Sequence, residues 1–202
     1  GLALAKVEDR KRPPFARPYV STTLLGDRLS AMNAEARAVV AMVASTGMRP
    51  VELAMMRGDN IVLDHDVPHL RIRALEDTAK AAAKAGLKVR STARDIPLVG
   101  SALAAAKAFP DGLKRYHGKP DSMTSAIGKF LRENDLLPTK HHSLYGLRHT
   151  FKTSLRAHQC PEELQDMLMG HTNSKPDYGD AYPLDVLREW VAKAAFDAPD
   201  WL

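Results

Sequence analysis

Thr46-Gly47-Met48-Arg49-Pro50-Val51-Glu52-Leu53 is the stretch on which the fold turns. Upstream, Asn33 is a good N-cap, and residues 34–45 are helix formers that offer Val39, Val40, Met42 and Val43 to a core, so a helix runs into the stretch and Gly47 ends it. Downstream, Pro50 suits the first position of a second helix, whose apolar face continues through Val51, Leu53, Ala54 and Met55 until Gly58-Asp59 turns the chain. Arg49 thereby falls at a helix start, where free backbone N–H groups also favour an anion. Glu52, three residues on, is spaced to brace its guanidinium.

Working outward, residues 60–63 and 69–73 read as two short strands around a turn at Asp64-His65-Asp66, and residues 95–98 as a third. The Ala/Lys-rich segment 79–87 is long for a hairpin and lacks a core-facing pattern, so it is expected to be a mobile excursion. After Pro97, helices are predicted at 101–109, 122–134, 144–158, 161–169 and 183–196. The last carries Leu184, Leu187, Trp190, Val191 and Ala194 on one face, a candidate for docking on a neighbouring molecule. The expected fold class is mainly α with a small three-stranded antiparallel sheet inserted after the second helix. Residues 1–20, with Arg10-Lys11-Arg12-Pro13-Pro14 and Arg17-Pro18, read as an extended basic arm or interdomain linker, and residues 21–202 as one domain.

Lys and Arg outnumber Asp and Glu by 29 to 24 and eight His can add charge, so an acidic partner is expected. The single cysteine, Cys160, excludes an internal disulfide and a Cys-based zinc cage. No apolar run is long enough for a bilayer and no secretory signal is recognisable, which makes a soluble, cytoplasmic protein the expectation.

Two further segments carry chemistry. The first is Tyr145-Gly146-Leu147-Arg148-His149-Thr150-Phe151; the second is Leu168-Met169-Gly170-His171, with His171 23 residues after Arg148 and Tyr178 seven beyond it. Taken singly, each has a plainer reading. Arg49 with Glu52 is an ordinary helix-start ion pair, Arg148 with His149, Lys152 and Arg156 is a solvated basic face, and His171 is a helix C-cap partner.

Taken in order, residues 46–178 resemble the signature boxes of the tyrosine recombinases, the phage-integrase family. The family's pattern is T-G-x-R-x-x-E-L, then H-x-L-R-H-T-F, then L-G-H, then a nucleophilic tyrosine. The resemblance implies an integrase-type catalytic-domain fold in a chain of bacterial or phage origin. It makes Arg49 and Arg148 the phosphate-clamping arginines, with Glu52 kept as the structural support of Arg49, His171 the next active-site position and Tyr178 the nucleophile, with Tyr182 the alternative. Tyr145 stands where the family most often has histidine. Leu87-Lys88-Val89-Arg90-Ser91-Thr92-Ala93-Arg94-Asp95-Ile96-Pro97-Leu98 resembles the family's L-K-T-x-x-S-x-R-x-I-P-L, which implies Lys88 as general acid, with Lys84 and Lys80 as substitutes in another register. Arg10, Lys11, Arg12 and Lys152 are candidate DNA-backbone contacts.

Such chemistry suits these residues. Attack on a phosphodiester builds charge on nonbridging oxygens, and planar, permanently charged guanidinium groups can bind two oxygens at once. Losing one such donor costs roughly 3 to 4 kcal/mol of transition-state stabilisation. A tyrosine ester retains the broken strand for rejoining. The resemblance implies a site-specific recombinase acting on double-stranded DNA through a 3′-phosphotyrosine, without metal, nucleotide or other cofactor, in a tetrameric synapse. It also implies an N-terminal core-binding domain that these residues do not supply. Relaxation of DNA in the manner of a type IB topoisomerase, and noncatalytic DNA binding on the same scaffold, are the competing readings.

Overall fold

The computed structural model describes residues 12–73, 93–171 and 182–202. The N-terminal arm departs from expectation. Among its described residues, regular structure is absent only as far as Ala16; Arg17–Tyr19 then form α1, continued by a π-helical turn over Val20–Leu24. Pro18 lies in the first helical turn, where a missing N–H costs little, so the prolines cease to mark extension at that point. The described end of the arm is also built into the domain. Phe15 and Val20 are core residues, and the Phe15 N–H donates to Thr150 Oγ1 at 2.8 Å while that hydroxyl faces Phe15 O at 3.0 Å. Arg17 donates to Ser154 Oγ and to the carbonyls of Ala194 and Ala195, with its guanidinium 4.1 Å over the Phe196 ring.

Helix α2, Ala34–Thr46, begins where Asn33 accepts the Ala36 N–H at 3.0 Å and ends at Gly47, which takes a left-handed φ of 63°. Every residue from Ala38 to Ala44 is within 1% of full burial, so α2 is apolar on all sides and passes through the middle of the domain. Helix α3, Pro50–Met55, follows after a short break. Strands β1 (Ile61–Val62), β2 (His69–Ile72) and β3 (Arg94–Pro97) form one antiparallel sheet in the order β1-β2-β3, with Leu70 opposite both Ile61 and Ile96. The segment 79–87 lies outside the described residues.

Helices α4 (Gly100–Ala108), α5 (Pro120–Glu133), α6 (Leu144–Ala157), α7 (Glu162–Met169) and α8 (Leu184–Ala194) complete the domain. Helix α2 packs between α4 and α6. The buried hydroxyls of Ser45 and Ser101 satisfy each other at 2.7 Å, and Ser101 lies 3.1 Å from Ala41 O. Gly47 needs its missing side chain twice over, for its φ and because a Cβ would overlap the Phe151 ring of α6. One expectation is overturned. Leu187, Val191 and Ala194 of α8 are buried against β3 and α6 of this same chain, so that face is spent in the core and does not await a neighbour. Among the described residues, no helix is long and apolar enough to cross a membrane.

Candidate active site

Arg49 sits at the N-cap of α3 in extended conformation, φ −75° and ψ 137°. Its backbone N–H donates to Glu52 Oε2 at 2.7 Å and its Nη1 to Glu52 Oε1 at 3.0 Å, so one carboxylate fixes both ends of the residue. Its Nη2 donates to Gly170 O at 2.9 Å.

Arg148, on the first turns of α6, is 1% exposed, which removes the reading of it as part of a solvated face. It donates through Nη1 to Gly47 O and through Nη2 to Met169 O, and Nη2 lies 3.3 Å from His171 Nε2. Burial, and then the charge of Arg49, lower its pKa to about 10, against opposing contributions from Tyr145 and Glu52. It therefore remains a cation at neutral pH, but one held against its own preference.

The last carbonyls of a helix have no partner within it. At the end of α7, three successive carbonyls each take a different arginine: Leu168 O accepts from Arg94 Nε at 2.9 Å, Met169 O from Arg148 and Gly170 O from Arg49. Gly170, at φ 59°, makes the approach possible. A Cβ there would stand 2.5 Å from Arg94 Nη1 and 3.3 Å from Arg49 Nη1. Arg94 is also paired side-on with Glu52, Nη1 to Oε1 at 3.0 Å and Nη2 to Oε2 at 2.9 Å. Burial alone would raise the Glu52 pKa, but the charge and hydrogen bonds of Arg94, with Arg49, hold it below the ordinary value. Sequence reasoning assigned Arg94 no role, although it stands at the arginine of the 87–98 pattern.

His171 follows directly. Its Nδ1 lies 3.3 Å from Asp166 Oδ1 and 3.3 Å from Lys152 Nζ, and Lys152 pairs with Asp166 at 3.4 Å. Burial, Lys152 and Arg148 lower the His171 pKa while Asp166 opposes them, so the ring is neutral at pH 7. A neutral ring protonated at Nδ1 donates to Asp166 and leaves Nε2 to accept from Arg148. Asp166 is a second residue that no sequence signal marked, because its contact crosses the helix C-cap.

Tyr145 lies with its ring 5.1 Å beneath the Arg12 guanidinium and edge-on to His149 at 5.3 Å. Beside it a cavity of about 320 Å³ is lined by Arg12, His149, Lys152 and Arg156 with Pro13, Pro14 and Thr153. Tyr182 is placed differently. Its hydroxyl donates to Glu163 Oε2 at 3.1 Å, in the first turn of α7 and so at the opposite end of that helix from His171, and this bond raises its pKa. Lys88, with Lys80 and Lys84, and Tyr178, Arg10 and Lys11 lie outside the described residues. Among the described residues, no group of three or more His, Cys, Asp or Glu is placed to hold a metal ion.

The fold is that of integrase and recombinase catalytic domains. The integrase from mycobacterium phage Brujita is 17% identical with a TM-score of 0.58, over 91% of this chain and 60% of that one. The XerA recombinase is 12% identical with a TM-score of 0.58, again over 91% and 60%. The XerH site-specific recombinase bound to its palindromic difH substrate, a post-cleavage complex, is 13% identical with a TM-score of 0.56, over 92% of this chain and 51% of that one. The chain thus spans between half and two thirds of the length of these proteins. No protein-family model and no curated protein matches it.

Proposed function

We propose that this chain is the catalytic domain of a tyrosine recombinase, which cuts and rejoins double-stranded DNA at specific sites. The observation that carries the reading is the charge balance around the end of α7. Arg49 and Arg94 share one carboxylate, Glu52, and these two guanidinium groups and that of Arg148 rest on adjacent carbonyls with His171 beside them. With Lys152 and Asp166 included, four positive charges against two negative leave a preorganised excess that suits a phosphodiester whose charge grows in the transition state. The basic cavity along α6, reached by Arg12, Lys152 and Arg156, suits the flanking backbone.

In this reading Tyr178 Oη bonds to phosphorus as the bond to the 5′-oxygen breaks. The phenol proton leaves to solvent, helped by the nearby cations, and Lys88 gives one to the departing oxygen. Arg49 and Arg148 neutralise the nonbridging oxygens, His171 supports Arg148, and Tyr145 contributes a hydrogen bond where histidine is usual. The basic stretch that precedes Phe15 links this domain to a core-binding domain, and four copies assemble on two duplexes.

The test is a pool of nicked suicide duplexes of randomised sequence, incubated with the protein and resolved under denaturing conditions. A protein–DNA adduct that survives denaturation is expected. Binding without an adduct would contradict catalysis and leave a DNA-binding module. Relaxation of supercoiled plasmid with no recombinant product would favour the topoisomerase reading.

A further inference from the structure

The arginine on β3 has a physical reason to be where it is that goes deeper than support. The Arg94 side chain is 2% exposed and that of Glu52 12%. A buried ion pair is a poor way to stabilise a fold, since an apolar pair of the same volume does as well or better. The arrangement of the bonds is more informative than their number. Glu52 has about four acceptor positions on its two oxygens. Oε1 receives Arg49 Nη1 and Arg94 Nη1, each at 3.0 Å; Oε2 receives the Arg49 backbone N–H at 2.7 Å and Arg94 Nη2 at 2.9 Å. The carboxylate is saturated, and Arg49 holds only one of its side-chain bonds.

Without Arg94, the carboxylate would be free to turn onto Arg49. A guanidinium and a carboxylate favour two parallel bonds, and Arg49 would then be neutralised and its outward donors withdrawn. Arg94 also reaches Leu168 O at 2.9 Å, one carbonyl before that of Met169, which holds Arg148, and two before that of Gly170, which holds Arg49. It therefore fixes both the carboxylate and the turn on which the other two arginines rest.

We propose that Arg94 is a positioning residue that occupies Glu52 so that Arg49 keeps its charge and donors for an oxyanion. The proposal rests on the anion cradle of the recombinase reading, but its test does not require DNA cleavage. Orthovanadate, which mimics five-coordinate phosphorus, is titrated against the full chain and its affinity read by calorimetry. Arg94→Met is expected to weaken binding about tenfold or more, the value of a charge-assisted hydrogen bond. Adding Glu52→Gln to that variant is expected to restore most of the loss, because a neutral amide holds Arg49 less tightly. Arg94→Lys, which keeps the charge but makes a single contact, follows the same pattern more weakly and serves if Arg94→Met does not fold.

A purely structural role would give a double variant no better than the single one. That outcome, binding within about twofold of wild type in both Arg94 variants, or no vanadate binding by wild type overturns the proposal. Duplex cleavage by the same proteins, run in parallel, reports on the recombinase reading separately: vanadate binding with the expected pattern but no DNA adduct from wild type would sink that reading and leave the role of Arg94 standing.

Discussion

Arg148 on α6 donates a hydrogen bond to the backbone carbonyl of Gly47, 101 residues earlier in the chain. The contact joins the two sequence boxes that carry an arginine each, and it does so at the one residue of α2's end that has no side chain to keep α6 away. Arg148 is thus both a buried structural strut and a candidate clamp. Arg148→Lys should expose the conflict, because an ammonium cannot serve the carbonyls of Gly47 and Met169 together and still face an anion. DNA cleavage is expected to fall by about a hundredfold or more. Unfolding stability should fall by about 1 to 3 kcal/mol as one buried carbonyl is orphaned. Single-turnover cleavage and urea denaturation measure the two; full cleavage with intact stability would count against both roles.

Gly170→Ala tests whether the turn after α7 seats the arginines. The left-handed conformation costs an alanine roughly 1 to 2 kcal/mol, and the new methyl would stand 2.5 Å from Arg94 Nη1. A displacement of about 1 Å in a reacting geometry can cost on the order of a hundredfold. Cleavage should therefore fall far more than stability does. Equal, small losses in both would show that the guanidinium groups tolerate the shift.

The excess of positive charge around Glu52 predicts linkage to anions. Orthovanadate at about a hundredfold over its Kd should stabilise the fold by about 2.7 kcal/mol, a rise in Tm of several degrees for a domain of this size. Chloride at equal ionic strength should not reproduce it. The rise should shrink in Arg49→Ala, and an unchanged rise in that variant would place the anion elsewhere.

His142, His149 and His171 all have pKa values lowered in the folded protein, first by burial and then by neighbouring positive groups; for His142, a bond to the Pro14 backbone opposes the shift, as Asp166 does for His171. Protons thus bind the unfolded chain more readily. The stability these neutral rings contribute is fully present above their unfolded pKa of about 6.5 and is lost as pH falls through the lower folded values. The urea midpoint should drop as the pH falls from about 7 to below about 6.5. Glu52, held below its ordinary value, titrates outside that window. A flat profile would mean that the rings are accessible enough to charge without penalty.

Much of this was legible in the residues. Asn33, Gly47 and Pro50 punctuate the chain through their own backbone chemistry, so α2 could be bounded to within a residue and the start of α3 placed at Pro50. Pro18 misled because proline breaks a helix interior but is welcome in a first turn. The charged stripe Arg148, Lys152, Arg156 has the spacing of a solvated face, yet exposure rises along it from a buried first residue to an exposed last one. Periodicity around a helix reports which side a residue is on and nothing of how deep its end is sunk. The roles of Arg94 and Asp166 were hidden for a related reason. Each depends on a partner brought in by the fold, 42 residues away in the case of Arg94 and Glu52. The inward face of α8 was readable as apolar, but its partner, β3 of the same chain, was not.

The most direct measurement is the identity of the residue that holds the cut DNA strand. Mass spectrometry of the adduct trapped from suicide duplexes, after nuclease and protease digestion, is expected to find the nucleotide ester on Tyr178, with no adduct from Tyr178→Phe. Tyr182, whose hydroxyl is committed to Glu163, should carry none. An ester on Tyr182 or Tyr145, or an undiminished adduct from Tyr178→Phe, would contradict it.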